Sequence, residues 1–199
     1  MINLSERIGD YVETYTGKQF WPLDPRPEDV CIEDIAHSLS MQCRFNGHCS
    51  RFYSVAEHSI IVAEDLAGTG YSSEMQLYGL LHDAAEAYIC DLPRPLKNCI
   101  DGYKLYELDI QSVIYDAFNI DYPSSSERLT IKHVDDALLK YEGRHIMPNK
   151  TGWAGSSFKY WTPLCLKSPA GVRKLGWEPK IAKREFLKLY NKLTKELKG

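Results

Sequence analysis

No cysteine of this chain belongs to a CxxC pair; the six, at 31, 43, 49, 90, 99 and 165, are scattered. That spacing offers neither a thiolate zinc site nor a disulfide framework, so the cysteines are expected to be reduced, mostly buried small residues. No stretch approaches the roughly 18 apolar residues of a membrane span, and Met1–Arg7 has no apolar run of the kind a signal peptide needs. These two absences predict a cytosolic protein, in the host cytoplasm if the source is viral, with no membrane partner. A basic excess is missing as well. Net charge −3 and a pI of about 6.1 argue against stable nucleic-acid binding, because phosphate-backbone binders usually carry surplus Lys and Arg. Alternating strand patterns, internal repeats and low-complexity tracts are nearly absent, which leaves an all-α fold as the expectation.

The chain has 199 residues, 44% hydrophobic and 26% charged, enough for one sizeable core and one domain. Residues 17–28 contain three prolines and are expected to form an extended loop after a short first helix. Helical spacing resumes at Ile32, Ile35, Ala36 and Leu39 and is expected to end near Asn46-Gly47. Ser54-Val55-Ala56-Glu57 fits a capping box that would place His58 in the first turns of the next helix. A further helix is expected from about Ser73 to Cys90, with Leu77, Leu80, Leu81 and Ala84 as its apolar stripe. After Pro93-Arg94-Pro95, helical patterns recur at about 103–118 and 126–146, and the second contains Asp135. The segment 148–177 has three Pro, four Gly, no acid and five basic residues, Lys150, Lys159, Lys167, Arg173 and Lys174, so it is expected to be a positive loop. Trp153, Phe158, Tyr160 and Trp161 lie among them; the loop is either a lid or capture site over a polyphosphate, or simply packed on the body by its aromatics. A last amphipathic helix, about 179–197, starts at Pro179 with Phe186, Tyr190, Leu193 and Leu197 on one side.

His82-Asp83 lies within Tyr78-Gly79-Leu80-Leu81-His82-Asp83-Ala84-Ala85-Glu86-Ala87, a segment apolar enough that its charged pair needs a partner to offset desolvation. A divalent cation is such a partner. On a helix, Glu86 follows His82 by four residues and Asp83 by three, so all three can face one cavity. A single helical histidine is more often a core or surface residue than a ligand. Two imidazoles and two carboxylates from three helices, by contrast, would make a hard, sulfur-free metal site.

The series Val55-Ala56-Glu57-His58-Ser59, Leu81-His82-Asp83-Ala84-Ala85-Glu86, Asp91-Leu92-Pro93-Arg94-Pro95-Leu96-Lys97 and Lys132-His133-Val134-Asp135 resembles the HD-domain phosphohydrolases. Within them it is most similar to the small 5′-deoxynucleotidases and the phage-type deoxynucleoside triphosphohydrolases. The likeness spans about residues 37–147, and the metal-binding core would occupy about 32–147. It implies an HD-type helical bundle with His58, His82, Asp83 and Asp135 as metal ligands. Asp136 competes with Asp135; adjacent helical positions point about 100° apart and cannot easily serve one ion. Asp135 fits the family's Lys-x-x-Asp followed by an apolar stripe, here Lys132 to Asp135 and then Leu138-Leu139.

Mixed imidazole and carboxylate donors suit Co, Mn, Zn, Fe or Ni better than Mg. Such a metal would lower the pKa of a bound water and polarise a phosphoryl oxygen. By the resemblance, Glu86 would orient water or act as acid and base, and Asp91 would handle a proton or position substrate. Arg44 would contact phosphate and Phe45 a sugar or base, although Phe45 equally suits a plain core position. Arg94 and Lys97 are phosphate candidates on a turn that could also be merely solvated. His37 and His48 are the rival imidazoles; His133 and His145 read as structural or surface residues.

The resemblance implies hydrolysis of 2′-deoxynucleotides, with a slight tilt toward triphosphate release from dATP and phosphate release from a deoxynucleoside monophosphate as the alternative. A cyclic-dinucleotide phosphodiesterase, for which the GYP signature is missing, and a non-enzymatic protein pinned by its metal are the other readings. Family members commonly self-associate, so a homo-oligomer is also implied.

Overall fold

A computed structural model of the protein describes residues 7–153, 163–164, 167–168, 171–172 and 174–199. The chain is mostly helical: α1 (Ile32–Met41), α2 (Val55–Gly68), α3 (Ser73–Leu81), α4 (Glu86–Ile89), α5 (Arg94–Lys97), α6 (Tyr103–Ala117), α7 (Ser125–Ile146) and α8 (Pro179–Lys198). Two two-residue hairpin pairs accompany them, β1 (Val12–Glu13) with β2 (Gln19–Phe20) and β3 (Lys167–Ser168) with β4 (Gly171–Val172), both antiparallel.

The short first helix expected before residue 17 is instead the β1–β2 hairpin. The buried carboxylate of Asp34 explains the substitution, because it accepts from Thr14 Oγ1 at 2.9 Å, Thr16 N at 2.7 Å and Thr16 Oγ1 at 2.8 Å. An extended chain can present that backbone N–H sideways; a helix would have used it internally. α1 stops at Met41, short of Asn46-Gly47, because residues 42–44 leave the helix to pair with 53–55 through Arg44 N to Tyr53 O and Val55 N to Gln42 O. α7 begins at a complete capping box, Ser124 Oγ accepting from Glu127 N at 3.3 Å and Glu127 Oε2 from Ser124 N at 2.7 Å.

α2 is the central rod, packed against α1, α3, α7 and α8. Its apolar residues Ile60, Ile61, Val62, Ala63 and Leu66 are buried, as burial on several sides requires. α8 covers α1, α2 and α3 with Ala182, Phe186 and Leu193, whereas Leu197, placed on that stripe by spacing, is 47% exposed beyond the last helix it could cover. Among the described cysteines none is buried: Cys31, Cys43 and Cys49 are half-buried and Cys90 and Cys99 exposed, because all five sit in loops, at helix ends or at a cap rather than on core stripes. In the 148–177 segment Lys150 and Lys174 are exposed; Phe158, Lys159, Tyr160, Trp161, Cys165 and Arg173, and the side chains of Trp153 and Lys167, lie outside the described residues. No helix among the described residues is long and apolar enough to cross a membrane.

α2 and α3 pack tightly at Gly79, where a Cβ would stand 2.6 Å from Leu66 Cδ1 and 3.3 Å from Val62 Cγ1. Gly79→Ala is expected to force the two helices apart and to lower stability by about 1–3 kcal/mol, as overpacking does. Urea denaturation checks this.

Candidate metal centre

His58 is fixed by the start of α2. Ser54 is extended and its Oγ accepts from Glu57 N at 3.1 Å, while His58 N donates to Ser54 O at 3.1 Å. The reciprocal half of the expected capping box is replaced: the Glu57 carboxylate accepts from Gly176 N at 3.1 Å and Trp177 N at 2.7 Å. A buried carboxylate gains more from two backbone donors on a distant segment than from one local N–H.

His82 and Asp83 are not inside a continuous helix. α3 ends at Leu81, residues 82–85 are turns, and α4 starts at Glu86. Backbone bonds here run over three residues, Ala84 N to Leu81 O, Glu86 N to Asp83 O and Ala87 N to Ala84 O. The buried side-chain amide of Gln111, from α6, does the opening. Its Nε2 donates to Leu81 O at 2.9 Å and its Oε1 accepts from Ala85 N at 3.2 Å. Leu81 O and Ala85 N would bond each other in an α-helix, so Gln111 is interposed between them and leaves neither unsatisfied.

Three ligand atoms, from His58, His82 and Asp83, lie within 4.8 Å of one another. His82 Nε2 is 3.2 Å and His58 Nε2 3.7 Å from Asp83 Oδ2, and the two rings are 5.3 Å apart. Asp135 joins at His58, its Oδ1 3.3 Å from Nε2. Asp136 turns to Arg94, at 3.0 Å, and to Lys132. The α7 helix thus divides the two carboxylates as their angular separation requires.

Each imidazole is oriented from behind. His82 Nδ1 lies 2.7 Å from Gly79 O, and His58 Nδ1 lies 2.7 Å from Glu142 Oε1. Carbonyl and carboxylate oxygens only accept, so both Nδ1 atoms carry a proton, and Nε2 is the atom each ring has left to offer a metal, on His58 after its second proton is displaced. Those Nε2 atoms are buried without a hydrogen-bond partner. Two imidazole nitrogens converging with carboxylate oxygens call for positive charge between them, which the His58 proton supplies in the metal-free protein and a metal would supply on displacing it; this donor set fits a divalent transition metal.

Glu142 has no exposure to water. Besides His58 it accepts from Tyr53 Oη at 2.7 Å, and its Oε2 is 3.3 Å from Arg44 Nη2. Burial opposes its charge, but Arg44, His58 and Tyr53 outweigh that and hold its carboxyl below the usual range. Burial likewise opposes ionisation of Asp83 and Asp135; the histidines prevail and keep both low. Burial and Arg44 push His58 down, but Glu142 and Asp135 outweigh them and raise it to about 9.

The centre opens into a cavity of about 850 Å³ whose lining includes Arg44, Phe45, Asp91, Arg94, Tyr115 and Tyr122. Glu86 is buried in its wall, and burial together with Asp83 and Asp91 lifts its carboxyl well above the usual range. Its Oε1 is 3.1 Å from Lys97 Nζ, which also binds Glu107 at 2.5 Å. Asp91 is raised too, chiefly by burial, against the pull of Arg44. Arg44 is buried, 3.7 Å from Asp83 Oδ2 as well as against Glu142, and its guanidinium carbon is 5.7 Å from the Phe45 ring centroid. Arg94, 52% exposed, spans Asp135 and Asp136.

The rival histidines are elsewhere. His37 stacks on Tyr15 at 3.8 Å, His48 and His133 are exposed, and His145 stacks on Tyr141 at 4.0 Å. Sequence reasoning missed Glu142, Tyr53 and Gln111. For Glu142 a signal existed, since it follows Asp135 by seven residues, two turns along the same face of α7.

No known family profile matches the chain. Over 136 residues it is 36% identical to the uncharacterized protein YfdR of Escherichia coli, covering 68% of this chain and 72% of that one. Over 139 residues it is 43% identical to the uncharacterized protein RCAP_rcc00048 of Rhodobacter capsulatus, covering 66% of this chain and 70% of that one.

Glu142→Gln keeps an acceptor for His58 but removes the charge behind it; divalent-metal affinity is expected to fall about 10-fold or more, measured by calorimetry. The raised His58 value also sets a pH dependence. The protonated ring stabilises the metal-free protein fully below pH 6.5, its ordinary value, and this contribution is lost as pH rises through about 9. A metal must displace that proton, so affinity is expected to rise about tenfold per pH unit up to pH 9 and then level off. Titration in buffers of different ionisation enthalpy counts the proton released.

Proposed function

The chain belongs to the same family as YfdR of Escherichia coli and RCAP_rcc00048 of Rhodobacter capsulatus, and for it we propose the activity of an HD-type, metal-dependent phosphohydrolase that releases triphosphate from 2′-deoxynucleoside triphosphates, dATP foremost. The observation that carries this reading is the pair of buried, partnerless Nε2 atoms of His58 and His82, aimed at Asp83 and Asp135 on the wall of a cavity that also holds Glu86 and Asp91. His58, His82, Asp83 and Asp135 would hold a divalent Co, Mn, Zn, Fe or Ni ion, which would supply a water of lowered pKa and polarisation of a phosphoryl oxygen.

The chain's own residues supply the rest. Glu86, whose carboxyl is lifted well above the usual range by burial and two neighbouring acids, would be the group that gives a proton to the departing 5′ oxygen. Lys97 fixes that carboxyl at Oε1 and leaves Oε2 without a hydrogen bond. Asp91 takes a proton from the attacking water. Arg94 and Lys97 can turn to phosphate oxygens, and Arg44 braces Asp83 from behind. Tyr115 and Tyr122, 5.5 Å apart and edge to face, give the cavity an aromatic wall suited to a nucleobase. A purely structural metal site would require neither Glu86 nor Asp91.

Metal-loaded protein is expected to convert dATP to deoxyadenosine and triphosphate, read by chromatography across the deoxynucleoside tri- and monophosphates and a cyclic dinucleotide. Phosphate from dAMP alone would move the reading to a 5′-deoxynucleotidase; no turnover with any of the five metals would refute it. Asp83→Ala is expected to lose metal and activity together. Glu86→Gln is expected to keep the metal while turnover falls on the order of 100-fold or more, and loss of metal in that variant would contradict the role given to Glu86.

A further inference from the structure

Asp91 is an unusual residue to find held in place. Among the described residues no hydrogen bond reaches its carboxylate; it only feels the charges of Arg44, Asp83, His58 and Lys97. Its position must therefore come from its backbone. The residue before it, Cys90, adopts φ 66° and ψ 158°, a region that is essentially glycine's alone. A strained peptide next to a cavity carboxylate persists only when surrounding bonds over-determine it.

Those bonds converge from both sides. Gln42 Oε1 accepts from Asp91 N at 2.8 Å, and its Nε2 donates to Glu86 O at 2.9 Å and Ser38 Oγ at 3.1 Å. The amide can face only one way, because Asp91 N is a donor and Glu86 O an acceptor. Gln42 is itself a rigid post. Its backbone N–H donates to Ser38 O at 3.2 Å as the cap of α1, and its carbonyl accepts from Val55 N at 3.2 Å at the start of the helix that carries His58. From the opposite side Tyr103 Oη donates to Ile89 O at 3.2 Å and Cys90 O at 3.0 Å.

We infer that Gln42 is a positioning residue for the reaction: its amide spans the backbone from Glu86 to Asp91, holds the Cys90 peptide in its strained form, and so sets the Asp91 carboxylate against the metal centre. This rests on the reading of Asp91 as a proton carrier. Gln42 touches neither substrate nor metal, so its contribution is to geometry. Once it is lost, Cys90 relaxes toward an ordinary conformation and swings the next residue out of line.

Gln42→Met keeps the volume and removes all three side-chain hydrogen bonds. In the metal-loaded enzyme kcat is expected to fall on the order of 10- to 100-fold, with KM and metal affinity near wild type. The Asp91 amide is expected to exchange with deuterium at least about tenfold faster. Adding Cys90→Gly, which makes the turn unstrained, should restore part of the lost turnover in the Gln42→Met background. On its own Cys90→Gly should raise Tm. A kcat in Gln42→Met within about twofold of wild type, unchanged Asp91 exchange, no recovery in the double variant, or a lowered Tm in Cys90→Gly would each overturn the inference. Exchange and Tm are read without substrate, so if wild-type protein hydrolyses no deoxynucleotide, the functional reading fails while the Gln42 clamp is still decided.

Discussion

A carboxylate sealed from water has to be surrounded by donors, and Glu142 imposes that requirement on the whole centre. Its oxygens face Tyr53, His58 and Arg44, which belong to the segment before α2, to α2 itself and to the strand-like stretch after α1. Removing one partner would strand charge in a low-dielectric interior, at a cost of several kcal/mol. The three elements are thereby fixed to α7 at one point. Arg44, held there, is next to Asp83 in turn. The orientation of His58, the placement of Asp83 and the proximity of α7 are consequences of one buried charge rather than separate coincidences.

Most cations near the cavity are already engaged. Arg94 and Lys132 lie against Asp135 and Asp136, and Lys97 against Glu86 and Glu107. An incoming polyphosphate would compete with carboxylates for the same side chains. Under the proposed function, binding would rearrange the Arg94 contacts that join α5 to α7. Arg94 and Lys132 are the exposed members of the group and the ones most available for exchange.

What could be read from the residues follows a physical divide. The long amphipathic helices α6, α7 and α8 fall close to where their spacing puts them, because local hydrophobic periodicity decides them, with a capping box and an N-terminal Pro also marking the starts of α7 and α8. The choice of Asp135 over Asp136 rests on the family likeness, Lys132 to Asp135 followed by Leu138-Leu139, because the helical angle says only that the two adjacent carboxylates cannot easily serve one ion. The break at 82–85 was illegible, since Leu80, Leu81, Ala84 and Ala85 stay buried straight through it and the disruption comes from Gln111, far along the chain. The hairpin replacing the expected first helix depends in the same way on Asp34. Glu57 was readable as a helix-start residue but not as an acceptor for Gly176 and Trp177. In each case a buried polar group chose a partner remote in sequence, and no local pattern encodes such a choice.

That Glu57 arrangement bears on the order in which the protein comes into being. The carboxylate beside His58 receives backbone N–H groups from the approach to α8, so the turn that presents His58 is completed by a segment made long after the other residues of the candidate centre. A nascent chain that has already exposed His58, His82, Asp83 and Asp135 still lacks both of those donors. The candidate centre therefore lacks its full support until Gly176 and Trp177 have been made, and an ion captured earlier would meet a looser set of side chains than the finished protein offers.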